Sequence, residues 1–243
     1  MNNLSKNNFL VTNSKEESIF FQIGSNDEIE YTFLNQNYEP TEINKLFENQ
    51  VLKYAVTIDK SDRIHLVHLS KSGELKYSIF ENNNWSTATI AIFDLRSNIY
   101  DNIVVLPLED SIHIIYAYAN LINSKLWTIH HVAGDYKQFE QYNAVKFASD
   151  RTPVLFAVDK DLTDSIQLLY IAKVNDTDQI YHTFFNPFTK KWNPTPQKLT
   201  ISNYYKQFPY IFVDSNNNIH SLWLEKLDTS YILKYSRLMS SEN

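Results

Sequence analysis

The 243-residue sequence contains no cysteine, which excludes disulfides, thiolate metal sites and thiol nucleophiles. It has only three glycines and seven prolines. Most turns must then be made by Asn, Asp, Ser and Lys, through side chains that bond nearby backbone and through Asn and Asp in the left-handed region. Cationic residues are outnumbered: 22 Lys and Arg face 28 Asp and Glu, for a net charge of −6. That balance carries no basic footprint for nucleic acid and no basic amphipathic stretch for a membrane surface. No apolar run approaches the about 20 residues of a membrane span. The N-terminal "MNNLSKNNFLVTN" has neither a charged leader nor an apolar stretch typical of a signal peptide. These absences predict no nucleic-acid partner, no membrane span and a cytoplasmic location by default. A cell-surface location follows only if the chain is one domain of a larger protein.

What is present is aromatic. Hydrophobic residues make up 43%, with 16 Tyr and 15 Phe. The hydrophobic share is enough for a packed core, and the aromatics suit pleated, half-buried strands. An apolar residue opening a strand recurs in "SIFFQI" (Ile19), "RIHLVHL" (Ile64), "SIHIIYAY" (Ile112), "SIQLLYIA" (Ile166) and "NIHSLWLE" (Ile219), at spacings of 45, 48, 54 and 53 residues. A short strand and a polar turn precede each anchor. A third strand follows ("EIEYTFL", "ELKYSIF", "KLWTIHHV", "QIYHTFF", "YILKYSRL"), and then a fourth that opens on an aromatic, as at Tyr38, Trp85 and Trp192. A four-strand unit repeated at this period predicts an all-β chain, a five-bladed β-propeller of four-stranded antiparallel blades. The expected blades are about 8–46, 52–95, 100–147, 152–201 and 207–238, within a single domain. The last unit lacks its fourth strand. Either residues 1–7 pair against Tyr231–Leu238, the favoured closure, or the blade is left incomplete in a chain that continues past Asn243.

"SIFENNNWS" (Ser78 to Ser86) resembles a degenerate Asp-box, the Ser-x-Asp-x-Gly-x-x-Trp hairpin of sialidase-type (BNR) propellers. Ser78 and Trp85 match, whereas Glu81 and Asn82 do not restore the Asp and Gly. "FFNPFTKKWNP" is similar but further decayed, and the Asp-turn followed by Ile-His resembles repeats of lectin-like propellers. The resemblance implies fold, since propellers host many unrelated activities. A sialidase, as that family implies it, needs three arginines on the substrate carboxylate. The chain has only Arg63, Arg96, Arg151 and Arg237, on different parts of the repeat.

Other chemistries are read one by one. A glycosidase needs two carboxylates flanking the scissile bond. Asp101 and Asp150, near the entry of first strands, are the candidates, whereas Asp59, Asp159 and Asp214 read as turn residues. His65, His113 and His220 share one repeat position that Phe20 and Gln167 fill elsewhere, so packing with a hydrogen bond is expected rather than a metal ring. No metal and no cofactor is expected. Tyr31, Tyr77 and Tyr235 are read as one third-strand position, with Thr128 and His182. The loops joining fourth to first and second to third strands are the expected binding face, and Tyr100, Arg96, Arg151, Tyr204 and Tyr205 are its candidate ligand-binding residues. These loops differ between repeats, which favours one asymmetric surface. The leading expectation is a non-catalytic protein-interaction propeller, then a lectin-like glycan-binding domain, with a glycoside hydrolase as the remote alternative.

Overall fold

The structure, a computed structural model, describes residues 8–35, 37–46, 50–135 and 138–238. It is all-β, and a single 3-10 turn, Leu121–Asn123, is the only helical element among the described residues. Five antiparallel sheets follow in chain order. The first holds β1 (Phe9–Thr12), β2 (Ser18–Ile23), β3 (Ile29–Leu34) and β4 (Pro40–Leu46), and the second β5 (Val51–Ile58), β6 (Ile64–Ser70), β7 (Glu74–Glu81) and β8 (Asn84–Ile92). The third holds β9 (Asn98–Pro107), β10 (Ile112–Asn120), β11 (Leu126–Gly134) and β12 (Phe139–Ala148). The fourth runs β13 (Phe156–Lys160), β14 (Ile166–Val174) and β15 (Thr177–Asn186), and the fifth β18 (Tyr205–Val213), β19 (Ile219–Leu227) and β20 (Ser230–Leu238).

The outer strand of the fourth sheet differs from expectation. The segment from Trp192 was expected to form one strand, but it is split into β16 (Lys191–Trp192) and β17 (Gln197–Lys198), both paired with β15. Pro194 and Pro196 lie between them, and proline has no N–H to give to a ladder. The fifth sheet has three strands among the described residues. The expected closing segment, residues 1–7, lies outside the described residues.

By contact the chain divides into two compact units. The first collects the residues up to Ser97 with Ile103–Ile115 and Val132–Glu140, and the second Asn98–Asn102, Tyr116–His131 and everything from Gln141. The core of the first includes Phe21, Ile29, Tyr54, Ile64 and Leu66, with Phe80 and Trp85 packed against it. The core of the second includes Leu169, Ile171, Ile180, Ile211 and Trp223. The central strands β6, β10 and β14 are buried on both faces along most of their length. Every residue of β6 is buried, which is why "IHLVHLS" shows no polar alternation.

The turn between first and second strands shows how a glycine-poor chain closes hairpins. Asn13, Asp59, Asp161 and Asp214 each accept the backbone N–H groups two and four residues on, at 2.8–3.0 Å. The fourth turn residue, Glu16, Asp62, Asp164 or Asn217, has a φ of 59–63°. One expectation needs correcting. In the fourth sheet the turn acid is Asp161, and Asp159 instead accepts the N–H of Val213 at 2.7 Å. The turn sits two residues later there than the bare spacing of acids suggests.

Candidate functional site

The recurring histidines are latches on these turns. His65 Nε2 lies 3.1 Å from Asp59 Oδ2, and its Nδ1 lies 2.6 Å from the Tyr77 hydroxyl. In the fifth sheet His220 repeats this, 3.1 Å from Asp214 and 2.8 Å from Tyr235. In the fourth, Gln167 stands in for the histidine, donating to Asp161 at 2.9 Å and accepting from His182 Nε2 at 2.9 Å. In the third, His113 Nε2 meets Ser111 Oγ at 2.9 Å. The register fixes the partner: Tyr77, His182 and Tyr235 lie opposite Val67, Leu169 and Leu222. In the first sheet the turn acceptor Asn13 precedes Phe21 by the same interval as Asp59 precedes Val67, and Phe21 lies opposite Tyr31, so Tyr31 does share the third-strand position of Tyr77 and Tyr235. The place of His65 is taken there by Ile19 rather than Phe20, so no latch forms, and Tyr31 stacks on Phe21 at 5.7 Å. Burial pushes the His65 imidazole down despite Asp59, and burial alone lowers His182 to about 4.

Neither acid suggested for hydrolysis is placed for it. Asp101 is 1% exposed and accepts the backbone N–H groups of Asn102 at 2.9 Å and Val154 at 2.8 Å, cross-linking β9 to the start of the next repeat. Asp150 is held by Lys173 and Lys125, whose ammonium groups keep its carboxyl below the usual range. A general acid needs the opposite displacement.

Three of the five candidate ligand residues come together in the second unit. The Arg151 guanidinium lies 3.8 Å over the centre of the Tyr205 ring, and its Nη2 donates to Asp178. Stacking of this kind uses the flat, weakly hydrated face of arginine. The Arg151 side chain is 12% exposed, whereas Tyr204 and Tyr205 are 47% and 42% exposed. Beneath them Lys206 is completely buried. Its Nζ donates to the carbonyls of Ser202 at 2.8 Å and Tyr204 at 2.9 Å, and lies 3.9 Å from Glu225. Glu225 Oε1 also accepts from Ser202 Oγ at 2.8 Å and Trp223 Nε1 at 3.2 Å. Gln179 Nε2 makes a further bond to the Ser202 carbonyl at 3.0 Å. Burial lowers the Lys206 ammonium, while Glu225 and Asp178 pull the other way. The network fixes the 202–205 segment and so the Tyr205 ring under Arg151. Residue reading missed Asp178, Lys206 and Glu225. They lie in β15, β18 and β19, and nothing local in the sequence marks Lys206.

Tyr100 and Arg96 are elsewhere. Tyr100 belongs to an aromatic cluster of the second unit, 5.9 Å from Tyr118 and 6.0 Å from Tyr116. The His130 ring lies 5.3 Å from that of Tyr116, and its Nδ1 lies 3.0 Å from the Asn143 side-chain Oδ1. Arg96 belongs to the first unit and is exposed in a loop, where its N–H bonds Asp94 at 3.0 Å. An open cleft of about 600 Å³ also lies in the second unit, lined by Lys146, Phe147, Tyr170, Lys173, Tyr181 and Pro194 among others. Tyr170 and Tyr181 stack at 5.6 Å. Lys173, which lines the cleft, pairs with Asp150, the residue before Arg151. Among the described residues no group of three His, Cys, Asp or Glu is placed to hold a metal ion, and no helix is long and apolar enough to cross a membrane.

No family model and no curated protein matches the chain. Solved structures do. A polysaccharide lyase, ulvan lyase bound to -[GlcA(1-4)Rha3S]-, is similar with a TM-score of 0.66 at 10% identity over 96% of this chain. The chain spans 66% of that lyase's length. An α-L-arabinanase of Penicillium chrysogenum complexed with arabinobiose gives 0.58 at 9% identity, over 91% of this chain and 77% of the other. The NanB sialidase of Streptococcus pneumoniae gives 0.55 at 13% identity, over 87% and 35%. At such identities the likeness is one of fold, and it agrees with the sialidase-type propeller repeats read from Ser78 and Trp85. It corrects the leading functional expectation: these neighbours are carbohydrate-active enzymes, not non-catalytic protein-interaction propellers.

Proposed function

We propose that the five sheets are blades of a propeller-type fold and that the second unit carries a glycan-processing site, acting on a polysaccharide at the Arg151–Tyr205 surface. The observation that carries this reading is Arg151 laid over one face of Tyr205 while 42% of that residue stays open to solvent. An aromatic held from below by a guanidinium is a platform for the C–H face of a sugar. Arg151 beside Asp178 sets donors next to acceptors, the complement of vicinal hydroxyls. Tyr204 widens the platform. The nearby cleft, with its stacked Tyr170 and Tyr181, has a volume in the range of small-ligand sites. Asp178, paired with Arg151, is read as an acceptor for sugar hydroxyls, and buried Glu225 as a partner of Lys206 that holds the platform in place. The fold likeness to a lyase, an arabinanase and a sialidase supports the same substrate class.

The test is a panel of uronate-containing and neutral polysaccharides incubated with the purified chain, scored for new reducing ends and for the ultraviolet absorbance of unsaturated uronides. Reducing ends without absorbance indicate hydrolysis, and both together indicate elimination. Cleavage is expected to be lost in Arg151→Ala and in Asp178→Asn. A folded protein that cleaves nothing in the panel, or cleavage untouched by both substitutions, overturns the proposal.

A further inference from the structure

Asp214, His220 and Tyr235 form a hydrogen-bonded chain that ends at solvent. Asp214 Oδ1 accepts the N–H groups of Asn216 and Asn218 at 2.9 and 2.8 Å, and Oδ2 accepts Asn218 Nδ2 at 2.8 Å. Only donors face this carboxyl, so it is held as a carboxylate, and the His220 Nε2 at 3.1 Å carries the ring proton toward it. Nδ1 is then the acceptor, and the Tyr235 hydroxyl, 2.8 Å away, donates to it. Phe212 stacks on the imidazole at 4.6 Å with an interplanar angle of 9°, which fixes the ring plane. The same three residue types recur at Asp59, His65 and Tyr77, but there the tyrosine is sealed at 2% exposure. Tyr235 is 56% exposed, on β20, an outer strand among the described residues.

We propose that Tyr235 is a nucleophilic tyrosine, reactive toward acyl donors, with His220 as its general base and Asp214 holding the imidazole tautomer. The arrangement follows the logic by which a base oriented by a carboxylate activates a hydroxyl. The phenolic oxygen attacks the acyl carbonyl carbon and its proton passes to His220 Nδ1. The bond from that carbon to the leaving group then breaks, and the leaving group departs with the electron pair and takes up the proton. The product is an O-acyl tyrosine. This site is separate from the Arg151–Tyr205 surface and does not rest on the glycan reading.

The test exposes the full chain to N-acetylimidazole and follows acetylation of each tyrosine by peptide mass spectrometry over time. Tyr231, on the same strand and 48% exposed, is the internal reference. Tyr235 is expected to react roughly 10-fold faster or more, a threshold set below the about 100-fold that a well-positioned base contributes at the least. His220→Gln is the decisive variant. Glutamine already fills the equivalent place at Gln167, with both hydrogen bonds made, so the latch persists without a base. It is expected to bring Tyr235 to the Tyr231 rate. Equal rates in the native chain, or an unchanged Tyr235 rate in the variant, overturn the proposal. The first comparison needs no variant to fold.

Discussion

Asp62 accepts both the backbone N–H of Ser14 at 2.8 Å and its hydroxyl at 2.5 Å, across 48 residues of sequence. In the second unit Asn217 likewise accepts the N–H of Leu162 at 2.8 Å. Both acceptors occupy the left-handed position of their turns, with φ of 61° and 62°. One residue thus closes its own hairpin and ties it to the turn of the preceding repeat. Asn and Asp serve where glycine cannot, since glycine has no side chain to reach across.

The two roles separate by substitution. Asn217→Gly keeps the left-handed backbone and loses the tie, for an expected loss of about 1 kcal/mol. Asn217→Ala loses both, adding about 1–2 kcal/mol of backbone strain. Urea unfolding of the two variants checks the order. Equal stabilities would show that the turn conformation costs alanine nothing here.

His182 predicts an acid-sensitive fold. Burial lowers its imidazole from 6.5 to about 4. Between those values the unfolded chain takes up a proton that the folded chain does not. The stabilising contribution is therefore complete above pH 6.5 and is lost as pH falls toward 4, amounting to about 3 kcal/mol at most. His65, lowered by burial as well, acts in the same direction. His182→Tyr, which places there the residue found at Tyr77 and Tyr235, is expected to flatten the slope of unfolding free energy against pH over this window. An unchanged slope would assign the acid sensitivity to other groups.

The repeat was legible because it is written in local terms. An apolar strand opening, an acid or amide at a turn, and an aromatic after the next turn each act within a few residues, so Ile64 and Ile219 announce the same hairpin. The first-sheet counterpart of His65 was not legible: it is Ile19 rather than Phe20, because the spacing of apolar residues leaves a strand's place in the repeat ambiguous by one until the turn at Asn13 is seen. The Arg151–Tyr205 surface was legible only as a set of loops. The contact joins residues 54 positions apart in sequence and depends on Lys206, whose burial no local pattern announces. Aromatic and charged loop residues suit protein and glycan ligands alike, so the sequence pattern does not separate those readings.

Lys206 is expected to be a structural cation. Lys206→Met fills similar volume but leaves the carbonyls of Ser202 and Tyr204 without their lysine donor, and it removes the cation 3.9 Å from Glu225. The expected cost is about 2–4 kcal/mol. Faster amide hydrogen exchange at 202–205 should accompany it, since this segment is held from below. Urea unfolding with exchange mass spectrometry measures both. Global destabilisation with unchanged exchange in that segment would mean that the loop is held by its other bonds, including that of Gln179.

Tyr205 and Arg151 offer the sharpest separation of packing from recognition. Tyr205→Phe keeps a ring under the guanidinium, so stability should stay within about 0.5 kcal/mol, and any rise in KM for a cleaved polysaccharide reports the hydroxyl alone. Tyr205→Ala removes the ring, costing about 0.5–1 kcal/mol of stability and most of the platform. Arg151→Lys keeps the charge beside Asp178 but cannot lay a planar group on the ring, so it should resemble Tyr205→Ala in KM rather than native protein. If Arg151→Lys and native protein share the same KM, the charge suffices, and the stacked geometry is a packing feature rather than a recognition element.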